Sequence, residues 1–206
     1  MRVVVPYAAA EPKTRLADAL SADERTAFAE AMLTDVLAAV RATGREPEVL
    51  ATAPVDADAS VTVDDRPLTE AVNAVLAGTD GPVAVVMADL ALATPDALGR
   101  LFDGDGDVVV APGRGGGTNA LAVRHPEFRV DYHGTSFLDH LAAARGVGAS
   151  VAVVDSHRLA TDVDERADLA EVLIHGECSS ASYGWLREAG FELAGDESRV
   201  GVVRTE

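Results

Sequence analysis

Short β-branched runs alternate with helical patterns along this 206-residue chain, and that alternation restricts its fold more than any other feature. Residues 2–6 (RVVVP) read as a buried strand, and residues 83–87 (VAVVM), the most continuous apolar run, as a central one. Between them, Ser21 and Glu24 have capping-box spacing before an apolar stripe of Phe28, Met32, Leu33, Val36, Leu37 and Val40, which predicts a helix ending at Gly44. Residues 48–52 and 61–63 predict short strands, and Thr69 the cap of a helix that stops at Gly78. Thr94 predicts a cap with Pro95 in the first turn. Further on, residues 108–111, 120–123, 151–154 and 200–203 predict strands, with helices over 136–145, from Asp164 to His175 and over 182–189. Such alternation gives an α/β fold: a three-layer sandwich with a mixed, mainly parallel sheet covered on both faces. No linker or repeat divides residues 1–206, so a single domain is expected. In sheets of this kind, ligands bind outside the carboxyl ends of the strands.

The charge balance narrows the partners. Asp plus Glu number 34 against 17 Lys plus Arg, a net −17, and 20 of the acids are Asp. A field of that sign repels nucleic-acid backbones and anionic membranes, so neither is expected as a partner. The acids are spread along the chain, as in an intracellular protein adapted to molar salt. No apolar run approaches the about 20 residues of a membrane helix. The opening MRVVVPYAAAEPK has neither signal-peptide nor transit character, and one cysteine allows no internal disulfide. A cytoplasmic protein is the expectation.

Four groups carry chemistry at the expected strand ends. In Glu11-Pro12-Lys13-Thr14-Arg15-Leu16, two cations follow the first strand; such a loop holds a polyphosphate, Lys13 as a point charge and Arg15 as a fork. Lys13 is the sole lysine in the chain. Asp89 directly follows the central strand, where a carboxylate can bind Mg²⁺, a hard cation that takes oxygen ligands and substrate phosphate. Asp162-Val163-Asp164 adds a second carboxylate pair, Asp162 read as a ligand and Asp164 as a helix cap. Gly115, Gly116 and Gly117, flanked by Arg114, Thr118 and Asn119, let backbone N–H groups turn inward as an anion nest. No Gly-Lys-Ser/Thr follows, so this is not a P-loop. Gly134 followed by the hydroxyls of Thr135 and Ser136 at a helix start is a second anion site, with Ser136 also read as the cap. His140, on the same helix, faces the site or packs in the core. Tyr183 and Trp185 read as packing residues, Cys178 as a buried small side chain, and Asp64 with Asp65 as an acidic cluster. Together the four groups suit two phosphorylated molecules. With no GxSxG elbow, phosphoryl or nucleotidyl transfer is favoured over acyl transfer.

Several stretches match a known family in order and spacing: VVVPY near the start, PKTRL at 12–16, VMADL at 86–90, PGRGGGTNAL at 112–121, GTSFLDH at 134–140 and TDVDERADLAEVLIHG at 161–176. On these residues the chain resembles the 2-phospho-L-lactate guanylyltransferase (CofC) family of deazaflavin coenzyme F-420 biosynthesis over almost its whole length. The resemblance implies a compact nucleotidyltransferase domain of the nucleotide-diphospho-sugar transferase type. It also implies that 2-phospho-L-lactate and GTP give lactyl-2-diphospho-5′-guanosine and pyrophosphate. On that basis Lys13, Arg15 and Asp89 are catalytic, and Mg²⁺ sits on Asp89 helped by Asp162. Thr118, Gly134 and Ser136, with Asn119, hold the acceptor's phosphate beside the glycine nest. The family usually has Asp-Leu-Pro-Leu where this chain has Asp89-Leu90-Ala91-Leu92, so a turn proline is lost while Asp89 remains. The acid excess is that of a high-salt archaeal member.

Alternatives stay open at this level. Phosphoenolpyruvate and phosphoglycerate differ from phospholactate by little more than a hydroxyl, methyl or double bond, so they compete as acceptors. Relatives acting on sugar phosphates or molybdopterin usually carry a Gly-rich signature where this chain has Tyr7-Ala8-Ala9-Ala10. A non-catalytic nucleotide-binding module would bind GTP without releasing pyrophosphate. No residue is assigned to reading guanine. The tail around Cys178 to Trp185 packs on its own domain or on a second copy, as a homodimer.

Overall fold

The computed structural model describes residues 1–10, 12–195 and 200–205. Strands β1 (Arg2–Tyr7), β2 (Pro47–Ala51), β3 (Ser60–Val63), β4 (Val83–Val86), β5 (Val108–Pro112), β6 (Thr118–Val123) and β7 (Val151–Val153) form one sheet in the order β3-β2-β1-β4-β6-β5-β7. β6 runs antiparallel to both its neighbours; the other pairings are parallel. The reason is local. β5 and β6 are joined by the short glycine loop, which can only fold back as a hairpin, whereas parallel pairing needs a long crossover. The register slips at Ala111/Pro112, where proline has no N–H for the ladder.

β1 lies between β2 and β4. The chain winds outward one way from β1 through β2 to β3, and the other way from β4, so the switch point of the sheet falls between β1 and β4. A crevice opens there, above the carboxyl ends of both strands.

Alternation along β1 divides the core. Val3, Val5 and Tyr7 pack on α1 (Ala22–Ala42), α3 (Pro95–Asp103), α6 (Arg166–His175) and α7 (Ala181–Glu188), whereas Val4 packs with residues of α2 (Leu68–Ala77) and α4 (Ser136–Gly146). Three layers result. α1 starts with the expected capping box of Ser21 and Glu24, and all six residues of its apolar stripe are buried. The short α5 (His157–Ala160) tucks Leu159 into the same core. β8 (Phe191–Gly195) pairs antiparallel with β9 (Val200–Arg204) as a separate two-stranded sheet. Among the described residues, no helix is long and apolar enough to cross a membrane.

Three expected caps are corrected. α2 begins after Pro67, and the Thr69 hydroxyl instead accepts from Tyr132 N–H across the fold. Thr135, not Ser136, is the N-cap of α4. Glu165, not Asp164, is the N-cap of α6, and the Asp168 carboxylate accepts from the N–H groups of Asp164 and Glu165. Cys178, expected buried, is exposed.

Candidate active site

The loop after β1 ends in a tight 3-10 turn, Thr14–Leu16, pinned by the fully buried Leu16. Lys13 precedes it with φ 53° and ψ 44°, the only non-glycine positive φ among the described residues. A left-handed lysine is held at a cost, and such strain persists where the surroundings over-determine it. Here Arg25 braces the loop by donating to the carbonyls of Pro12 and Leu20. The result is that Lys13 Nζ lies 2.7 Å from Asp89 Oδ2 and 2.7 Å from Asp164 Oδ1. Arg15 reaches the other Asp164 oxygen at 3.4 Å but stays 69% exposed.

Electrostatics in this cluster follow from burial. Enclosure works against the Lys13 ammonium, but the Asp89 and Asp164 carboxylates outweigh it and hold its pKa above the ordinary value. Asp89 goes the other way. Burial raises its pKa, Lys13 opposes this, and the nearby charges of Asp164 and Asp162 push it further up. Asp89 Oδ1 is enclosed with no hydrogen-bond partner. A backbone bond from Val163 N–H to the Asp89 carbonyl, 3.2 Å, brings the Asp162-Val163-Asp164 segment alongside.

On the β1–β3 side of Asp89 lies a cavity of about 410 Å³. Tyr7, Ala8, Met32, Leu50 and Met87 give it apolar walls; Lys13, Arg15, Asp89 and Asp164 line it, as do Thr52, Asp64 and Arg66. Asp64 follows β3, three strand positions from β4 and so roughly 14 Å across the sheet. Its side chain is only 14% exposed and is clasped by Arg66, whose fork keeps the carboxyl below its usual range.

On the β6 side lies the glycine loop. A Cβ on Gly113 would sit 2.4 Å from Asn119 Oδ1, so only glycine fits there. Gly113 and Gly116 spend their N–H groups inside the loop, on Gly117 and Gly113 carbonyls, which leaves Gly115 and Gly117 as candidate donors. Gly116 takes φ +85° and accepts from Phe137 N–H, which docks the loop on the start of α4. Arg114 turns away, to Asp168 at 2.6 Å.

Two hydroxyls meet beside this loop. Thr118 N–H donates to Ser136 Oγ at 3.0 Å, and His140 Nδ1 lies 2.8 Å from Thr118 Oγ1. His140 Nε2 accepts from Asp131 N–H at 2.9 Å, so the ring proton belongs on Nδ1 and points at Thr118. Burial depresses the His140 pKa to about 4, which keeps the ring neutral. With an oxygen lone pair of each hydroxyl already satisfied, the Thr118 and Ser136 protons are free to donate to an anion. Asn119 is spent otherwise: its Nδ2 donates to the Leu159 carbonyl at 3.0 Å and to Asp162 Oδ1 at 3.1 Å.

Comparison with known proteins gives the family and the fold. The family model described as "Guanylyl transferase CofC like" matches residues 1–205. The chain belongs to that family. A relative named 2-phospho-L-lactate guanylyltransferase, from Halomicrobium mukohataei, is 63% identical over 204 residues, covering 99% of this chain and 100% of the relative. Another of that name, from Haloferax volcanii, is 63% identical over 205 residues, covering 99% and 98%. Among solved structures, one from Desulfovibrio desulfuricans described as a nucleotide-diphospho-sugar transferase is similar in fold. Its TM-score is 0.72 at 17% identity, with 91% of this chain and 95% of that chain covered. The CofC-like family therefore has, in this chain, a nucleotidyltransferase fold.

Measured against that family fold, the sequence-predicted residues divide into two groups about Asp89. On the cavity side Lys13 pairs with it and joins it to Asp164, which Arg15 also reaches; Thr118, Ser136 and the glycine loop adjoin one another on the β6 side, and Asn119 links that side to Asp162. Gly134 takes φ +51° in the turn before α4, close to Ser136 in sequence. Asp164, read as a cap, is an ion-pair partner instead. Sequence reasoning took Asp64 only as part of an acidic cluster with Asp65 and missed Arg66, although Asp64 follows a strand end as Asp89 does. It also left His140 undecided, although Ser136 and His140 are four residues apart and so share a helix face.

Proposed function

We propose that this chain is a guanylyltransferase that joins GMP from GTP to 2-phospho-L-lactate and releases pyrophosphate. The observation that carries the reading is the Lys13–Asp89–Asp164 cluster at the β1/β4 switch point, with a nucleotide-sized cavity on one side and two oriented hydroxyls on the other. A phosphate oxygen of the acceptor attacks the α-phosphorus of GTP. The bond from that phosphorus to the bridging oxygen breaks, and its electrons leave with pyrophosphate. The acceptor phosphate is already a dianion at neutral pH, so no protein base is required, and positioning with charge neutralisation carries the rate.

Each residue then has a task. Lys13 and Arg15 steady the triphosphate and the departing pyrophosphate. Thr118 and Ser136 donate their hydroxyl protons to the acceptor's phosphate, helped by Gly134 and by the N–H groups of Gly115 and Gly117; Gly116, expected as a third donor, has its N–H on the Gly113 carbonyl and shapes the loop instead. Asn119 holds Asp162 in place. His140 is a positioning residue that aims Thr118. At the far end, the Asp64 carboxylate faces the N1–H and N2–H₂ donors of guanine, while adenine offers an acceptor there. Asp89 with Asp162 would hold Mg²⁺, which supplies positive charge at the α-phosphate; the enclosed, unpartnered Asp89 Oδ1 is the atom that fits a hard cation. The reading takes the chain to act as a single domain in the cytoplasm.

The deciding experiment is pyrophosphate release from a panel of acceptors, each with each nucleoside triphosphate, in molar KCl with Mg²⁺. Release should be fastest for GTP with 2-phospho-L-lactate. No release from any pair, or a clear preference for another pair, would overturn the assignment.

A further inference from the structure

Where α5 begins and α6 ends, His157, Glu171 and His175 bring three ligand atoms together at the surface. His157 Nε2 lies 3.6 Å and His175 Nε2 3.5 Å from the same oxygen, Glu171 Oε2, and all three atoms lie within 4.8 Å of one another. Among the described residues, this is the only trio of His, Cys, Asp or Glu so arranged. The separations exceed ordinary hydrogen bonds, about 2.7–3.2 Å. They match ligand atoms around one tetrahedral ion, where bonds of about 2.0–2.2 Å place neighbours roughly 3.4 Å apart. Glu171 and His175 are one helical turn apart and share a face, while His157 comes from the neighbouring helix. The two imidazoles stack edge to face with centroids 4.9 Å apart, which fixes both rings. The second oxygen of Glu171 lies 3.7 Å from Arg114 Nη1, which orients the carboxylate from behind.

We propose that this trio is a binding site for a divalent transition-metal ion of the zinc class, with water in the fourth position. Two imidazole nitrogens and one carboxylate oxygen suit such ions, whereas Mg²⁺ wants oxygen ligands, so this site and Asp89 select different metals. Its consequence is mechanical. The ion ties the first residue of α5 to the last of α6, and the segment so closed carries Asp162, Asp164 and the Leu159 carbonyl that anchors Asn119.

Cobalt(II) is the probe, titrated alone into the protein in molar KCl with Mg²⁺ saturating. One equivalent per chain should develop the visible absorption of a tetrahedral site. Loss of a metal-orienting outer partner typically weakens affinity about 10–100-fold, so His157→Ala and His175→Ala, which remove ligands, should each weaken binding at least about tenfold. Cys178→Ser removes the exposed thiol and should change nothing. Zinc at a hundredfold excess over its dissociation constant should raise the melting midpoint by roughly 5 °C, and at the same zinc concentration His175→Ala should lose at least about half of the rise. Equal binding by wild type and both histidine variants, loss of the signal with Cys178→Ser, or no tetrahedral spectrum would overturn the proposal. None of these readouts depends on turnover.

Discussion

An enclosed carboxylate oxygen without a partner costs about 1–3 kcal/mol, and Asp89 Oδ1 bears that cost next to a lysine in a left-handed conformation. These two unfavourable features stand side by side at the sheet's switch point, where the proposed reaction uses both residues. Asp89→Ala should lower pyrophosphate release by about a thousandfold or more, the order expected when a preorganised charge is removed. The melting midpoint should stay near wild type, because Asp164 still pairs with Lys13. Near-normal turnover in a folded variant would remove Asp89 from the chemistry. Asp64→Asn tests the other end of the cavity. An amide presents a donor where guanine also donates, so the preference for GTP over ATP should fall about tenfold, and an unchanged ratio would take base reading away from Asp64. His140 adds a pH dependence whose sign is fixed. Its pKa is about 4 in the fold against 6.5 in the free side chain, so between those values the unfolded chain takes up a proton that the folded chain refuses. Stability from this group is full above pH 6.5 and falls by about 3 kcal/mol as pH drops to 4. Urea unfolding of His140→Gln across that window should lose that part of the slope. The acceptor KM should rise while the GTP KM holds, because Thr118, which loses the partner that aims it, is proposed to touch the acceptor and not GTP. Lys13 and Asp89 were legible in the sequence because each is singular in kind or place. The role of His140 was not, because it depends on a proton fixed by Asp131 N–H, a contact made only in the folded chain.

At the scale of elements, the helices differ in how much of their ends is local. α1 and α3 take their caps from Ser21 with Glu24 and from Thr94, residues beside the helix, and those were readable from spacing alone. Thr69 and Ser136 have the residue type of caps, yet their hydroxyls serve distant N–H groups, of Tyr132 and Thr118. Composition at a helix start cannot separate these uses, because both satisfy the same need for a hydrogen-bond partner. α7 is the converse case. Its first N–H groups, Ala181 and Ser182, donate at 2.7 and 2.9 Å to Asp35, a residue of α1 almost 150 positions earlier. The carboxylate meets the positive end of the helix dipole, and the Phe28–Trp185 ring contact, centroids 5.2 Å apart, completes the joint. Asp35→Ala should destabilise the protein by about 2 kcal/mol, and hydrogen exchange should quicken in residues 181–188 ahead of the sheet. Uniform protection across α7 and the sheet would mean that this carboxylate is not what holds the helix.

At the scale of the whole molecule, the strand–helix alternation was enough for a mainly parallel sheet, because each element must bury an apolar face against the next layer. The reversal of β6 follows from its short glycine connection rather than from its own residues. Charge acts over the same scale and in the opposite direction, since a net −17 pushes the compact state apart. Part of the repulsion is between acids close in sequence, such as Asp103, Asp105 and Asp107 between the end of α3 and β5, where Cα atoms two residues apart are roughly 5–7 Å from each other. That spacing lies inside the screening length of about 10 Å at 0.1 M salt and outside the about 3 Å at 1 M. Molar KCl should therefore remove repulsion that 0.1 M leaves in place. The Lys13–Asp89 pair responds differently, because Lys13 is only 11% exposed and enclosed pairs are screened far less. Raising KCl from 0.1 to 2 M should lift the melting midpoint by about 10 °C, while the activity lost on Asp89→Ala stays the same size at both salts. A midpoint that does not move with KCl would mean that the acidic surface is neutral for stability, and a loss that shrinks with salt would mean that the Lys13 pair is open to solvent.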